Sequence, residues 1–427
     1  MIRLSFFEWK KIMKNKTTWI VALLSVIAVI GIYFLQLENA KNLEKRTINQ
    51  YDFLIDLYTG DVEYWEEAKE EALVAQENDL IEEASMRLEY ANQQREKYIS
   101  LKQSFMEEDW QPIYQEQVDK FDPYVNPSPD QPAAFLVFED QEVTDFTKRA
   151  SYEHFKYVKD YNVEPFTKDM ASAYIFYPTI YDEFEGRSLE LWQSSTKRYG
   201  KQGFYFTYQL IQSMYLMVII LLGCFILGNT ISAESRTKQN NLAFYKTLPI
   251  HQTRLLLSKF ITGFVGVLVF LVLMFLIPII TGAITHGWGS LDYPVLVYDG
   301  YTSESMRTNT VEDTFHFIPL KKYLLKTMTL SIIIGFLIYS IYFLISQFSK
   351  EPILNVIIVG VFSYLMMKQL HPINPFSYLD TDKIITQEIQ LQTWNTNFSF
   401  VKGIGLNGSL GFVFLILNYI VFKYRSK

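Results

Sequence analysis

ISAESRTKQNNLAFYKTLPIHQTRLLLSK, residues 231–259, separates two long apolar runs at 206–228 and 260–280. Each run holds the roughly 20 apolar residues that cross a bilayer. The stretch between them carries Glu234, Arg236, Lys238, Lys246 and Arg254. A charge at the bilayer centre costs about 2.5–3.5 kcal/mol on an insertion scale, so this stretch is read as a water-side connector between two spanning helices. Its excess of Lys and Arg assigns it to the cytoplasmic side.

The pattern inside the connector says more than its charge. Residues 232–238 continue the preceding helix into water. Leu242, Phe244, Tyr245 and Leu248 then set apolar side chains on a helix-sized segment, which Pro249 stops by lacking an N–H and disfavouring helix at the residue before it. Gln252 or Thr253 starts the next helix. A short helix with apolar residues at the cytoplasmic end of a transmembrane hairpin needs a surface to pack on. That surface is either its own bundle and the headgroups, or a partner.

The connector resembles the segment after the second transmembrane helix of ABC type-2 permeases, exporter subunits whose ATPase is usually a separate chain. In that family an acidic residue leaves the helix, a short run follows, an LP(I/L) turn comes next, and a basic residue opens the third helix. Here these are Glu234, residues 242–247, Leu248-Pro249-Ile250 and Lys259. Thr237 and Lys238 stand where members often carry a glycine. The resemblance implies that Glu234, Leu242, Phe244, Tyr245, Leu248, Pro249 and Ile250 couple the permease to its ATPase. It also implies a second permease copy or paralogue beside this one, and ATP and magnesium on the partner ATPase, with no cofactor bound by this chain.

The chain has 427 residues, 16% of them aromatic, and a mean hydropathy of +0.05. That value is high for a soluble protein and low for one wholly within a membrane, so a membrane part and a sizeable water-soluble part are expected. The single cysteine, Cys224, sits in an apolar run as a small packing residue and excludes an intrachain disulfide.

Taken in order, residues 1–16 mix Phe6, Phe7 and Trp9 with Lys10 and Lys11, the pattern of an amphipathic helix in the cytoplasmic interface. The family has such an elbow helix before its first span. Residues 17–37 form the first transmembrane helix. Residues 38–203 form an extracytoplasmic domain, with about 18 Lys/Arg against about 35 Asp/Glu. Leu73, Leu80, Ile81, Leu88 and Leu101 recur there at helical intervals, with a break near Asn78 and Asp79. The remaining spans are expected at 204–230, 260–281, 322–348, 352–370 and 404–422, with a basic tail at 423–427. Pro278 is expected to kink or end the third. Outer loops fill 282–321 and 371–403, the second resembling the family's short re-entrant helix. The fold class is therefore mostly α: a polytopic membrane protein with six transmembrane helices, both termini cytoplasmic, and a large helix-rich outer domain between the first two.

Several chemistries are excluded. No G-x-x-x-x-G-K-[ST] is present, so ATP hydrolysis is not expected on this chain. Gly403, Gly405 and Gly408 match G-x-G-x-x-G but open an apolar span and follow no strand. The five histidines form no H-E-x-x-H, no metal site and no catalytic residue is assigned, and no nucleic-acid surface is expected. Two functions from different classes fit: an exporter permease in the cytoplasmic membrane, or a non-transporting sensor or immunity protein signalling inward from the outer domain. A permease exposes polar groups within the membrane; Gln209, Gln212, Ser213 and Asn355 are the candidates. A peptide, a lipid-linked molecule or a drug would suit such an exporter.

Overall fold

The computed structural model describes residues 2–128, 135–232, 251–299 and 314–425. The chain divides into two compact units. One comprises Met1–Leu35, Gln202–Leu291 and Val295–Lys427; the other comprises Gln36–Lys201 with Asp292–Pro294.

The first unit opens with α1 (Ile2–Met13) and α2 (Lys16–Ala75). The indole of Trp19 donates to the Met13 carbonyl at 2.8 Å and so ties the end of α1 to the start of α2. Next come α7 (Gly203–Gln212) and α8 (Tyr215–Ile226), followed by α9 (Gln252–His286). The last stretch holds α10 (Leu320–Phe348), α11 (Pro352–Met367) and α14 (Phe400–Arg425). Among the described residues, four helices are long and apolar enough to cross a membrane: α2, α9, α10 and α14. α7 and α8 pass the same test only as a pair bent by 84°, and α11 is a shorter apolar helix.

Three local features differ from the sequence reading. The second span is broken, because Met214 takes a left-handed φ of 58° between α7 and α8. Pro278 does not end α9, since the helix runs on to His286. The 371–403 loop holds no single helix; it has a 3-10 turn at Pro375–Tyr378 and two five-residue helices, α12 (Thr381–Ile385) and α13 (Glu388–Gln392). Within 282–321, strands β3 (Pro294–Tyr298) and β4 (Phe315–Pro319) pair into a two-stranded sheet.

In the second unit, α2 continues beside α3 (Asn78–Met106), with Tyr58 stacked on Tyr98 at 5.6 Å between ring centroids. α4 (Trp110–Val125) packs on α5 (Asp145–Asp160). Between them and the short α6 (Gly186–Ser195) lies an aromatic core of Phe121, Phe155, Phe176 and Trp192. A two-residue hairpin, β1 (Val137–Phe138) and β2 (Gln141–Glu142), adds Phe138 to it. Buried tyrosines reach backbone carbonyls, Tyr51 to Met170 at 2.8 Å and Tyr114 to Val163 at 2.7 Å. Burial of these rings is therefore not opposed by an unpaired hydroxyl.

Lys168 lies in this unit with its ammonium 4.7 Å from the Phe155 ring centroid. Burial first, and then the Arg198 guanidinium, bring its pKa from 10.5 down to about 7. His154, in the same cluster, is held neutral chiefly by burial. Between pH 7 and 10.5 the unfolded chain thus carries more protons at Lys168 than the folded one, so this residue's contribution to stability rises with pH across that window. Below pH 7 the contribution is flat and at its least favourable. Lys168→Met is expected to raise the melting temperature at pH 6 and to flatten the rise between pH 7 and 10, as read by thermal melts of the full chain in detergent.

Candidate functional site

The connector residues Glu234, Leu242, Phe244, Tyr245, Leu248, Pro249 and Ile250 lie outside the described residues. Its two ends do not. At the exit, Ser232 is fully buried, and its hydroxyl accepts from the Asn355 side-chain amide of α11 at 2.9 Å. The same hydroxyl donates to the Ser346 carbonyl of α10 at 3.4 Å. At re-entry, the Lys259 ammonium of α9 donates to the Glu8 carboxylate of α1 at 2.7 Å, with Lys259 0% and Glu8 1% exposed. Ser5 and Ser258 hydroxyls meet at 3.1 Å, and Thr262 donates to the Ser5 carbonyl at 3.3 Å. Both ends of the connector are thus held by buried polar contacts, one to α10 and α11, the other to α1.

A buried pair such as Glu8–Lys259 holds register more than it adds net stability, because desolvation offsets much of the attraction. Around it, α1 presents its other residues in two ways. Phe6 and Phe7 are exposed, with Lys10 over the Phe6 ring at 4.8 Å, whereas the Trp9 ring lies against Gly266 of α9. Lys11 lines a cavity of about 450 Å³ beside the pair, with Asn15, Thr18, Asn229, Thr230 and Pro352. This gap, lined by both polar and apolar residues, lies where the elbow, the start of α2, the end of α8 and the start of α11 come together.

Just past the exit of α8, three helices approach closely. A Cβ on Gly263 would lie 2.0 Å from the Tyr339 hydroxyl, and one on Gly228 would lie 2.8 Å from the same ring. Tyr339 is fully buried. Small residues of this kind let membrane helices pack backbone to ring. Gly228, Gly263 and Tyr339 were missed by the sequence reading. The Gly263-x-x-Gly266 spacing on α9 was the available signal.

Of the polar groups expected within the membrane, three meet at the break in the second span. Gln212 and Ser213 are exposed there and Gln209 is half-buried. Ser213 donates to the Gln209 carbonyl at 3.2 Å, and the Gln212 amide donates to Tyr208 at 3.2 Å. Asn355 is elsewhere, fully buried on Ser232. Broken helices in membrane proteins persist where side chains resatisfy the freed backbone. That happens here across two helices. Pro278 has no N–H for the carbonyl four residues earlier, that of Met274, and the Tyr215 hydroxyl at the start of α8 donates to it at 2.7 Å. Tyr215→Phe is expected to cost about 1–3 kcal/mol, the penalty of a buried carbonyl left unpaired. In a Pro278→Ala background the restored N–H would take that carbonyl, so the same change should cost less. Melts of the two singles and the double read the coupling; equal costs in both backgrounds would contradict it.

Residues 185–299 match a family model described as ABC-2 family transporter protein. No curated protein and no solved structure gives a match. The matched stretch takes in the broken second span, the connector and the whole of α9. With the connector motif it supports an ABC-2 type permease, a membrane component of ABC-type transport.

Proposed function

We propose that the chain is the permease subunit of an ATP-binding-cassette exporter in the cytoplasmic membrane. In this reading it spans six times, with the bent α7–α8 pair as the second span and α11 as the fifth, and both termini are cytoplasmic. A separate ATPase binds ATP and magnesium beneath it, and a second permease copy or paralogue completes the pathway. The observation that carries the proposal is the family match over residues 185–299, which takes in the connector and both of its flanking arms.

The anchoring of the connector is the physical support. A segment transmits force between partner and membrane only if it is coupled to elements with more than one arrangement. Ser232 and Lys259 tie its two ends, to α10 and α11 at one and to the elbow at the other. Closure of the ATPases would move the connector, and through it the elbow and the spans. Leu242, Phe244, Tyr245, Leu248, Pro249 and Ile250 form the docking segment, with Glu234 as a charge partner. Gln209, Gln212 and Ser213 line the pathway at the break, where a peptide, a lipid-linked molecule or a drug would meet polar groups.

Phe244→Asp combined with Pro249→Leu is expected to abolish association with the ATPase while leaving membrane insertion intact. Co-purification from membranes checks it. An ATPase that stays bound to the double variant would show that the docking segment lies elsewhere.

A further inference from the structure

The second unit holds a groove of about 400 Å³ whose lining includes Asn39, Asn42, Lys45, Arg46 and Asn49 of α2, and Lys197 just beyond α6. Among the described residues, no Asp or Glu lines it. This is unexpected in a domain with about 18 basic and about 35 acidic residues. Of the nearby acids, Glu44 pairs with Lys201 and Asp52 with Lys102, while Glu38 is exposed one turn before Asn42 and does not line the groove. Lys45, Arg46 and Lys197 form no ion pair among the described residues, and all three are exposed. Three positive charges held together without counter-ions repel one another, and an anion in the groove would relieve that repulsion.

The helix also fixes where this groove stands. Leu35, Asn39, Asn42, Arg46, Asn49 and Phe53 follow one another at steps of four and three on α2, which places them on one face, and all are exposed. The face changes from apolar to amide and guanidinium directly after the apolar turns end at Leu35. At 1.5 Å per residue, Asn39 and Asn42 lie about 6–10 Å past Leu35, within reach of the headgroup layer. Arg46 and Lys45 lie about a turn further along α2, and their stems are long enough to span that distance.

From this geometry we infer that the groove binds the phosphate of an anionic lipid headgroup. The guanidinium of Arg46 supplies a planar donor fork that matches phosphate oxygens, Lys197 and Lys45 supply point charges, and the asparagine amides supply neutral donors. The site requires only that the apolar turns of α2 lie in a bilayer, so it does not rest on the permease reading.

The test uses the purified full chain and its Arg46→Gln/Lys197→Gln double variant, both in mixed micelles holding equal amounts of phosphatidylglycerol and phosphatidylcholine. Retained lipid is weighed by native mass spectrometry. A second arm titrates pyrophosphate against each protein in lipid-free detergent. Both replaced side chains are exposed, and a thermal melt confirms that the double variant folds. Arg87→Gln, an exposed cation on α3, is the control. The wild type and the control are expected to enrich phosphatidylglycerol, and the double variant to lose roughly ten-fold or more of that enrichment, given about 1 kcal/mol per cation near a membrane surface. Pyrophosphate binding that the double variant also loses, without lipid enrichment in the wild type, would keep the phosphate site and overturn its lipid source. Equal lipid enrichment and equal pyrophosphate binding in wild type and double variant, or neither in the wild type, would overturn the site.

Discussion

Lys259→Met is expected to destabilise the chain by about 3–5 kcal/mol, because it leaves the Glu8 carboxylate buried without its partner. Glu8 and Lys259 are 1% and 0% exposed, and their charged atoms meet at 2.7 Å. Glu8→Leu should cost a similar amount from the other side. The double variant Glu8→Leu/Lys259→Met should recover most of the loss, since a buried pair replaced by apolar groups of like volume is often close to neutral. Lys10→Met, at an exposed position of the same helix, should do little. Thermal melts in detergent measure all four, and protease access to the elbow reads whether α1 has come away. Single and double variants of equal cost would contradict the account. The hydroxyl contacts through Ser5 cannot substitute for the pair, because neutral hydrogen bonds contribute only about 1 kcal/mol each.

The second large effect concerns the crossing of α7 and α9. A Cβ on Gly203 would lie 2.1 Å from the Ile279 carbonyl oxygen, and a Cβ on Gly282 would lie 2.5 Å from the Gly203 nitrogen. In both cases the obstacle is backbone, so no rotamer change can relieve it. Gly203→Ala and Gly282→Ala are each expected to cost about 3 kcal/mol, at the upper end of overpacking effects. The start of α7 is tied to the end of α9 at the same place. The Gly203 N–H donates to Gly287 at 3.1 Å and the Phe204 N–H to Trp288 at 2.9 Å. Forcing the helices apart loses these bonds as well. Two other helical glycines provide the opposite sign. Gly31 and Gly405 have nothing within 4 Å of the added Cβ, so alanine there should be neutral or stabilising by up to about 1 kcal/mol. Melts of the four variants read the contrast. A neutral Gly203→Ala would mean that α7 and α9 do not cross as closely as described.

The fold was legible where a single physical signal dominated. Long uncharged runs marked α2, α9, α10 and α14, and each is a helix of spanning length and hydropathy. The mixed apolar and basic residues 1–16 marked the elbow, whose helix is Ile2–Met13. The break in the second span was not legible. Gln209, Gln212 and Ser213 are read as polar groups on the second span, yet they mark a bend whose left-handed residue is Met214, a type with no preference for that conformation. That Pro278 does not end its helix depends on a residue far away in the chain. The carbonyl it frees is taken by Tyr215, 63 positions earlier by sequence number (278 − 215), and the helix continues.

The candidate site shows the same division. Lys259 was placed as the basic opener of its helix, a local pattern. Its partner Glu8 was passed over within a run of cations, although it is the one acid of α1. Burial of that acid against Lys259 is a tertiary fact, and an acid inside a basic amphipathic helix was the signal available. Asn355 was singled out as a polar residue in an apolar run, which is correct as chemistry. Its amide, however, is spent on Ser232 at the exit of the connector. Sequence spacing finds polar residues in apolar helices, but it does not tell which of them face a partner helix and which face a pathway.

The central claim is that this membrane chain works with a separate ATPase, and purification of the tagged chain from its native membrane in gentle detergent tests it most directly. The account predicts a stoichiometric cytoplasmic partner carrying a G-x-x-x-x-G-K-[ST] motif, identified by mass. Recovery of the chain without any such partner, under detergent conditions that preserve a known membrane ATPase complex, would contradict it.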